Sequence, residues 1–569
     1  MFEKLPDLQT FMTWSWAEIE PFFKDLQARE LNDSTAVAWL TDAAHLNQRI
    51  SETFTRLNVA TTVNTADEAA TERFLKYNEE VIVPVRTATN ELQKKILASG
   101  INPPGYGIEL RNIRVQSELF REDNLPLQVE EDRLRTEYDK VIGAQTVNWD
   151  GQEKTLASLK PFYFNPDRSV RERAWRAASD RQLADKQALN DLWVQFLKLR
   201  QQIALNADLP DYRAYMWRSM LRFDYTPQDC ETFHAAIEKV VVPAATRIYE
   251  KRRQRLGISS VRPWDTFVDP LNREALQPFP AQDIGRLNNT SSTIFHKVDP
   301  VLGGYFDTMM NEGLLDLDNR KGKAPGGYCT GYDYSKRPFI FMNAVGIHDD
   351  VQTLLHEGGH AFHAFETYRQ LPDYLQGQAP MEFCEVASMS MELIAAPYLA
   401  QSQGGFYSAE DAARARVEHL EQLITFWPYM AIVDAFQHWV YTHVDDAIDP
   451  AKCDAKWAEL NDRFMPGIDY SGLEDAKADG WHRKLHIFQV PFYYVEYGLA
   501  QLGAVQVWGN SLKDQAGAVS AYRRALALGG TATLPQLFQT AGAQFGWDTS
   551  ILHKAVDLVE NVVNQLDPA

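Results

Sequence analysis

The chain has 569 residues, enough to bury a large core, and at this length two or three structural lobes are expected rather than one. Its 57 basic and 77 acidic side chains give a formal net charge of −20. That field repels phosphate backbones and anionic lipid, which counts against nucleic acid and a membrane surface as partners. No run of about eighteen apolar residues occurs, and the start "MFEKLPDLQTFMTWSWAEIE" lacks the basic-then-apolar layout of an export signal. Cys230, Cys329, Cys384 and Cys453 are scattered and form no CxxC pair, which suits a reducing compartment. A cytoplasmic protein is expected.

From about 11 to 145 the sequence reads as long amphipathic helices, such as "ATERFLKYNEEVIVPVRTATNELQKKIL", broken by the turn cluster "SGINPPGYG". A polar stretch, "VNWDGQEKTLASLKPFYFNPDRS", follows and places a boundary near 150 to 168. The organisation expected is a helical N-terminal lobe over 1–160 and a larger helical lobe over 161–569. Within the second, "VRERAWRAASDRQLADKQALNDLWVQFLKLRQQIALNA" and "PQDCETFHAAIEKVVVPAATRIYEKRRQRLG" are helical, and the Pro- and Asp-rich 258 to 280 is not. The stretch 320 to 338, "RKGKAPGGYCTGYDYSKRP", combines Gly, Pro and Tyr as a loop would. Ala324 follows Gly322 and Lys323 where a phosphate-binding loop needs Ser or Thr, so nucleotide binding is set aside. "FIFMN", 339 to 343, is the best strand candidate of the second half and predicts a small sheet in a mainly α fold.

The segment "DDVQTLLHEGGHAFHAFE" predicts a helix with Asp349 or Asp350 at its N-terminus. His356 and His360 leave one face one turn apart, as two ligands of one ion must, and Glu357 sits beside them. In this HExxH arrangement two imidazoles bind zinc and the carboxylate takes a proton from water. A catalytic zinc needs a third protein ligand. Glu366, six residues after His360, stands where a metzincin places its last ligand, but His363 replaces the glycine that allows that turn. The other source is "APMEFCEVASMSMELIAAPYL", a helix started by Pro380 and closed before Pro397. Its Glu382, Glu385, Met389 and Glu392 make one stripe on an otherwise apolar surface, so these carboxylates are expected to be buried and to need a cation or strong hydrogen bonds.

"HEGGHAFH" and, twenty-five residues after its second histidine, the glutamate of "CEVAS" resemble the HExGHxxH and EVAS elements of the oligoendopeptidase F and thimet oligopeptidase family. The resemblance extends to "RKGKAPGGYC", "PFIFMN", "PFYYVEYG" and "ALALGGTATLPQLFQTAG", and so covers roughly 155 to 560. It implies that Glu385 is the third ligand of a single zinc per chain and that Glu357 is the general base. It also implies a deep cleft between the helical lobes that admits short unstructured peptides, with peptide laid beside an edge strand near 338 to 343. His486, Tyr494 and Tyr497 lie in "LHIFQVPFYYVEYG", and Tyr494 and Tyr497 share a helical face after Pro491. Spacing alone favours packing for them. The resemblance implies that the tyrosines hydrogen-bond the oxyanion and that His486 orients substrate. One departure is Gly358, where many relatives carry a larger residue.

The function expected is an oligoendopeptidase. A related zinc carboxypeptidase or dipeptidyl carboxypeptidase would use the same metal residues, and a peptide-binding protein that does not cut would lack the intact His356, Glu357, His360 and Glu385 set. His363 and the Met381, Met389 and Met391 side chains are expected to pack, Cys384 to be a small buried hydrophobe, and His45, His234, His419 and His438 to be structural.

Overall fold

A computed structural model of the chain describes residues 1–567 except Lys321 and Pro325, and leaves out the side chains of Thr136 and Ala157. The described residues are mainly α-helical with two small sheets, and none of their helices is long and apolar enough to cross a membrane. They divide into two compact units, each assembled from separated stretches: 1–118, 277–413 and 503–545 in one, 119–276, 414–502 and 546–569 in the other.

This partition does not follow the expected boundary near 160. Residues 1–118 share a unit with the histidine helix because long-range contacts tie them together. The buried Glu52 carboxylate accepts the Ser335 backbone N–H at 2.7 Å and its hydroxyl at 2.6 Å. His45 meets Asp373 at 3.0 Å, and Tyr374 and Leu375 pack against the apolar cluster around Phe11, Trp39 and Ile113. Pairings some 280 or more residues apart carry no local signal in sequence.

In the first unit Leu315–Asp318 (β3), Tyr328–Tyr332 (β4) and Arg337–Ala344 (β5) form a sheet of order β3-β5-β4. In the second, Thr146–Trp149 (β1) and Gln152–Thr155 (β2) form a hairpin within the polar stretch. The strand expected at 339 to 343 is β5, buried on both faces, which accounts for its unbroken apolar run. Two expectations are corrected here. Residues 328 to 332 are not loop but pair antiparallel with β5, Tyr328 opposite Phe341, their rings stacked at 4.8 Å. That cross-strand stack gives a Gly- and Tyr-rich run a reason to be a strand. As a result β5 is the central strand, and β4 is an edge. Lys321 and Pro325 of the preceding stretch lie outside the described residues. Lys323, whose side chain is fully covered, donates to the carbonyls of Asp316, Asp318 and Met342 at 3.0, 2.7 and 2.6 Å. It rivets the sheet rather than a phosphate.

Candidate metal centre

The helix His348–Gln370 begins where Asp350, and not Asp349, folds its carboxylate back over the preceding turn. Its Oδ2 accepts the backbone N–H groups of Val345, Gly346 and Ile347 at 2.8, 2.7 and 2.9 Å, which satisfies donors that a helix start otherwise leaves unpaired. Val351, Leu354, Leu355 and Phe362 are fully buried on its inner side. The second helix, Met381–Ala395, starts after Pro380 as expected and closes before Pro397. The two cross at unusually short range because of Gly359. A Cβ there would stand 2.5 Å from Ser388 Cα and 2.6 Å from the Ala387 carbonyl oxygen, so only glycine fits.

That crossing converts one stripe of each helix into a single cluster. Glu385 Oε2 lies 3.4 Å from His356 Nε2 and 3.8 Å from His360 Nε2. Bonds of about 2.1 Å arranged tetrahedrally put ligand atoms about 3.4 Å apart, so the three atoms fit one zinc. Glu385 is buried, as is Glu382, whereas the His356 and His360 side chains keep 24% and 21% of their surface. The cluster is thus closed on the carboxylate side and open on the imidazole side. Each histidine is also held from behind. His356 Nδ1 is 2.6 Å from Glu392 Oε1, and a ring N–H of His360 donates to the Cys384 carbonyl. Such outer partners fix ring orientation and leave the other nitrogen for a metal.

The electrostatics follow from burial and from these partners. Burial alone disfavours a charged His356, yet Glu385 and Glu392 hold its pKa well above the ordinary histidine value. Burial lowers His360 to about 4. Burial raises Glu357 to about 7; His356 opposes the rise, Glu385 and Glu392 add to it, and the Cys329 backbone N–H of edge strand β4 donates to the carboxylate. A carboxylate poised near neutrality is suited to taking up and returning a proton.

Glu366, the alternative third ligand, is buried and engaged by Arg523 Nε at 2.7 Å. It does not join the two histidines. His363 is buried against Phe383, and its Nε2 has no hydrogen-bond partner among the described residues. Gly358 has a local explanation, since a Cβ there would meet Phe295 Cζ at 2.7 Å. The ring of Phe295 fills the space a larger residue would need.

His486, Tyr494 and Tyr497 belong to the second unit, where they form one aromatic cluster with Tyr493. The His486 ring is 4.9 Å from Tyr494 and 5.9 Å from Tyr497, and Tyr497 is 5.2 Å from Tyr493. Tyr494 is buried and its hydroxyl accepts from Lys484 Nζ at 2.9 Å, while Tyr493 and Tyr497 are half-buried. Burial pushes the Lys484 ammonium down to about 8. The turn leading into the helix Tyr494–Ser511 is strained: buried Phe492 has φ +67°. It is held by Gln437, which accepts the Phe492 N–H at 2.7 Å, and by Arg222, which donates to the Phe492 carbonyl at 2.6 Å and to Glu496 at 2.7 Å.

Sequence reasoning missed two contributors. Glu392 was visible as part of the stripe, but its partner His356 belongs to another helix. The Cys329 N–H gave no signal, because its strand reads as loop.

Residues 162–554 match the family model described as Peptidase family M3. Among curated relatives, the chromosomal oligoendopeptidase F of Lactococcus lactis subsp. cremoris is 24% identical over 340 residues, covering 57% of this chain and 52% of that protein. The oligopeptidase PepF of Bacillus subtilis (strain 168) is 26% identical over 230 residues, 39% of this chain and 33% of that protein. The chain therefore spans about half, or less, of the length of these relatives. Among solved structures, PZ peptidase A with inhibitor 2 superposes with a TM-score of 0.87 at 26% identity over 100% of both chains.

Proposed function

Because the chain belongs to peptidase family M3, we propose that it is a zinc-dependent oligoendopeptidase that hydrolyses internal bonds of short unstructured peptides. The observation that carries the reading is the meeting of His356 Nε2 and His360 Nε2 at one oxygen of Glu385, beside the near-neutral carboxylate of Glu357. The donor set is right for zinc: two imidazole nitrogens and one carboxylate oxygen, held by Glu392 and the Cys384 carbonyl. When bound, zinc supplies a Lewis acid that brings a coordinated water to a pKa of about 7. Glu357 takes a proton from the attacking water and returns it to the leaving amine. Tyr494, Tyr497 and His486 are assigned to the substrate, the tyrosines donating to the tetrahedral oxyanion and His486 orienting the peptide. Peptide is read as adding to edge strand β4 through backbone hydrogen bonds, which are indifferent to side-chain identity. The protein is read as working in the cytoplasm.

The test is digestion of a mixed peptide library by the purified protein, with cut sites mapped by mass spectrometry with and without chelator. Chelator-sensitive internal cuts are expected, in peptides with both ends blocked as well. Cleavage that requires a free C-terminal carboxylate would replace this reading with carboxypeptidase action. Glu357→Gln is expected to keep zinc and peptide binding and to lose nearly all turnover; turnover near wild type would remove Glu357 as the base.

A further inference from the structure

The second unit contains a convergence of metal-ligating residues that the peptidase reading does not use. Cys230 and His234 are four apart on the helix Pro227–Leu256, and Asp434 and His438 are four apart on the helix Ala409–Thr442. Four-residue spacing puts each pair on one face of its helix, and the two faces meet. Ligand atoms of Cys230, Asp434 and His438 all lie within 4.8 Å of one another. His438 Nε2 is 3.3 Å from Asp434 Oδ2, and His234 Nε2 is 2.8 Å from the same oxygen. The first distance is that of two ligands sharing an ion, and the second is that of a hydrogen bond.

All four side chains are buried: Asp434 has no exposed surface, Cys230 keeps 2%, and His234 and His438 keep 5% each. Asp434 Oδ1 nevertheless has no hydrogen-bond partner among the described residues, and His438 Nε2 has only the long 3.3 Å approach to Asp434 Oδ2. A buried polar atom without a partner is costly, and a cation would satisfy both at once. Charge also balances, since a thiolate and a carboxylate with neutral imidazole carry two negative charges. A thiolate with imidazole selects zinc over magnesium or calcium.

We propose that Cys230, Asp434 and His438 form a second, buried zinc site that joins these two helices, with His234 donating to the ligating carboxylate of Asp434. Binding at His438 Nε2 leaves the ring proton on Nδ1, so the long 3.4 Å contact from Arg213 Nη1 to Nδ1 opens, and Arg213 turns toward Glu231, 4.0 Å away. The competing reading is a metal-free carboxylate held between two histidines.

Metal analysis of the full chain, purified and dialysed, decides between them. Wild type is expected to hold two zinc equivalents. The His356→Ala/Glu385→Ala variant, untouched at Cys230, is expected to keep one. Reloaded with cobalt, that variant should show a thiolate-to-cobalt charge-transfer band in the near ultraviolet, and addition of Cys230→Ser should remove it. A folded His356→Ala/Glu385→Ala protein that holds no metal, or whose cobalt form lacks the thiolate band, overturns the site. Because the variant lacks the peptidase ligands, its result is independent of whether the peptidase reading stands.

Discussion

Gly359→Ala isolates the packing that brings Glu385 to the two histidines of the candidate metal centre. The added methyl would lie 2.5 Å from Ser388 Cα, 2.6 Å from the Ala387 oxygen and 2.9 Å from the Ala387 carbonyl carbon. Carbon atoms rest at about 3.5 to 4.0 Å, so the helices must separate by about 1 Å. No rotamer change relieves a contact made to backbone. Alanine favours the helix by about 1 kcal/mol over glycine, while overpacking of this kind costs about 1 to 3 kcal/mol, and the net effect is destabilising. The larger consequence falls on the metal. Glu385 rides on the displaced helix, and a shift of about 1 Å is roughly five times the tolerance of about 0.2 Å in a metal–ligand bond. Zinc affinity should fall about 10- to 100-fold, the loss typical when a ligand's support is removed. Competition with a chromophoric chelator measures this. Wild-type zinc affinity in a folded Gly359→Ala protein would refute the reasoning.

Glu385→Ala should lower zinc affinity in the same assay whereas Glu366→Ala should not, because Glu366 faces Arg523; the reverse ranking would restore the metzincin pattern. Tyr497→Phe is expected to cost about 2.7 to 4 kcal/mol in the barrier, a hundred- to thousandfold in turnover, with peptide affinity nearly unchanged. Tyr494→Phe is expected to show the same pattern, since a hydroxyl that accepts from Lys484 keeps its own proton to donate, and near-wild-type turnover in both variants makes the element scaffold. Burial raises the Asp373 carboxyl, but Lys336, Gln48 and His45 more than offset this and bring it from 3.8 down to about 2. That shift is worth about 2 kcal/mol, or about 1 after solvent screening. A depressed folded pKa stabilises above the unfolded value, so Asp373→Asn should be less stable at neutral pH. The gap should close as pH falls from about 4 to about 2; denaturant melts showing a pH-independent gap would contradict it.

The histidine pair was legible because a helix converts four-residue spacing into one face, and Glu357 came with it. The third ligand was not, because a stripe with Glu382, Glu385 and Glu392 offers several carboxylates, and only the crossing at Gly359 selects one. Family resemblance points to Glu385, and the crossing sets its carboxylate 3.4 and 3.8 Å from the two imidazoles. β4 was misread since its stability comes from Tyr328 stacking on Phe341 rather than from local propensity. Cys230 with His234, and Asp434 with His438, were equally plain as spacings. Each pair alone is an ordinary helical repeat, and only the fold sets them against each other.

The two adjacent glycines of the histidine helix work on different neighbours. Each weakens the helix by about 1 kcal/mol relative to alanine, so their presence mid-helix, between His356 and His360, needs an offset. Gly359 obtains it from the backbone of Ala387 and Ser388, which brings Glu385 to the imidazoles. Gly358 obtains it from Phe295, whose ring packs edge-on against Phe362 at 4.9 Å and near Phe306 at 5.0 Å. The helix is therefore fixed on two sides by close contact while its intrinsic preference is poor. A residue larger than glycine at 358 would have to displace the Phe295 ring, a side-chain contact, whereas one at 359 would have to displace the backbone that carries Glu385.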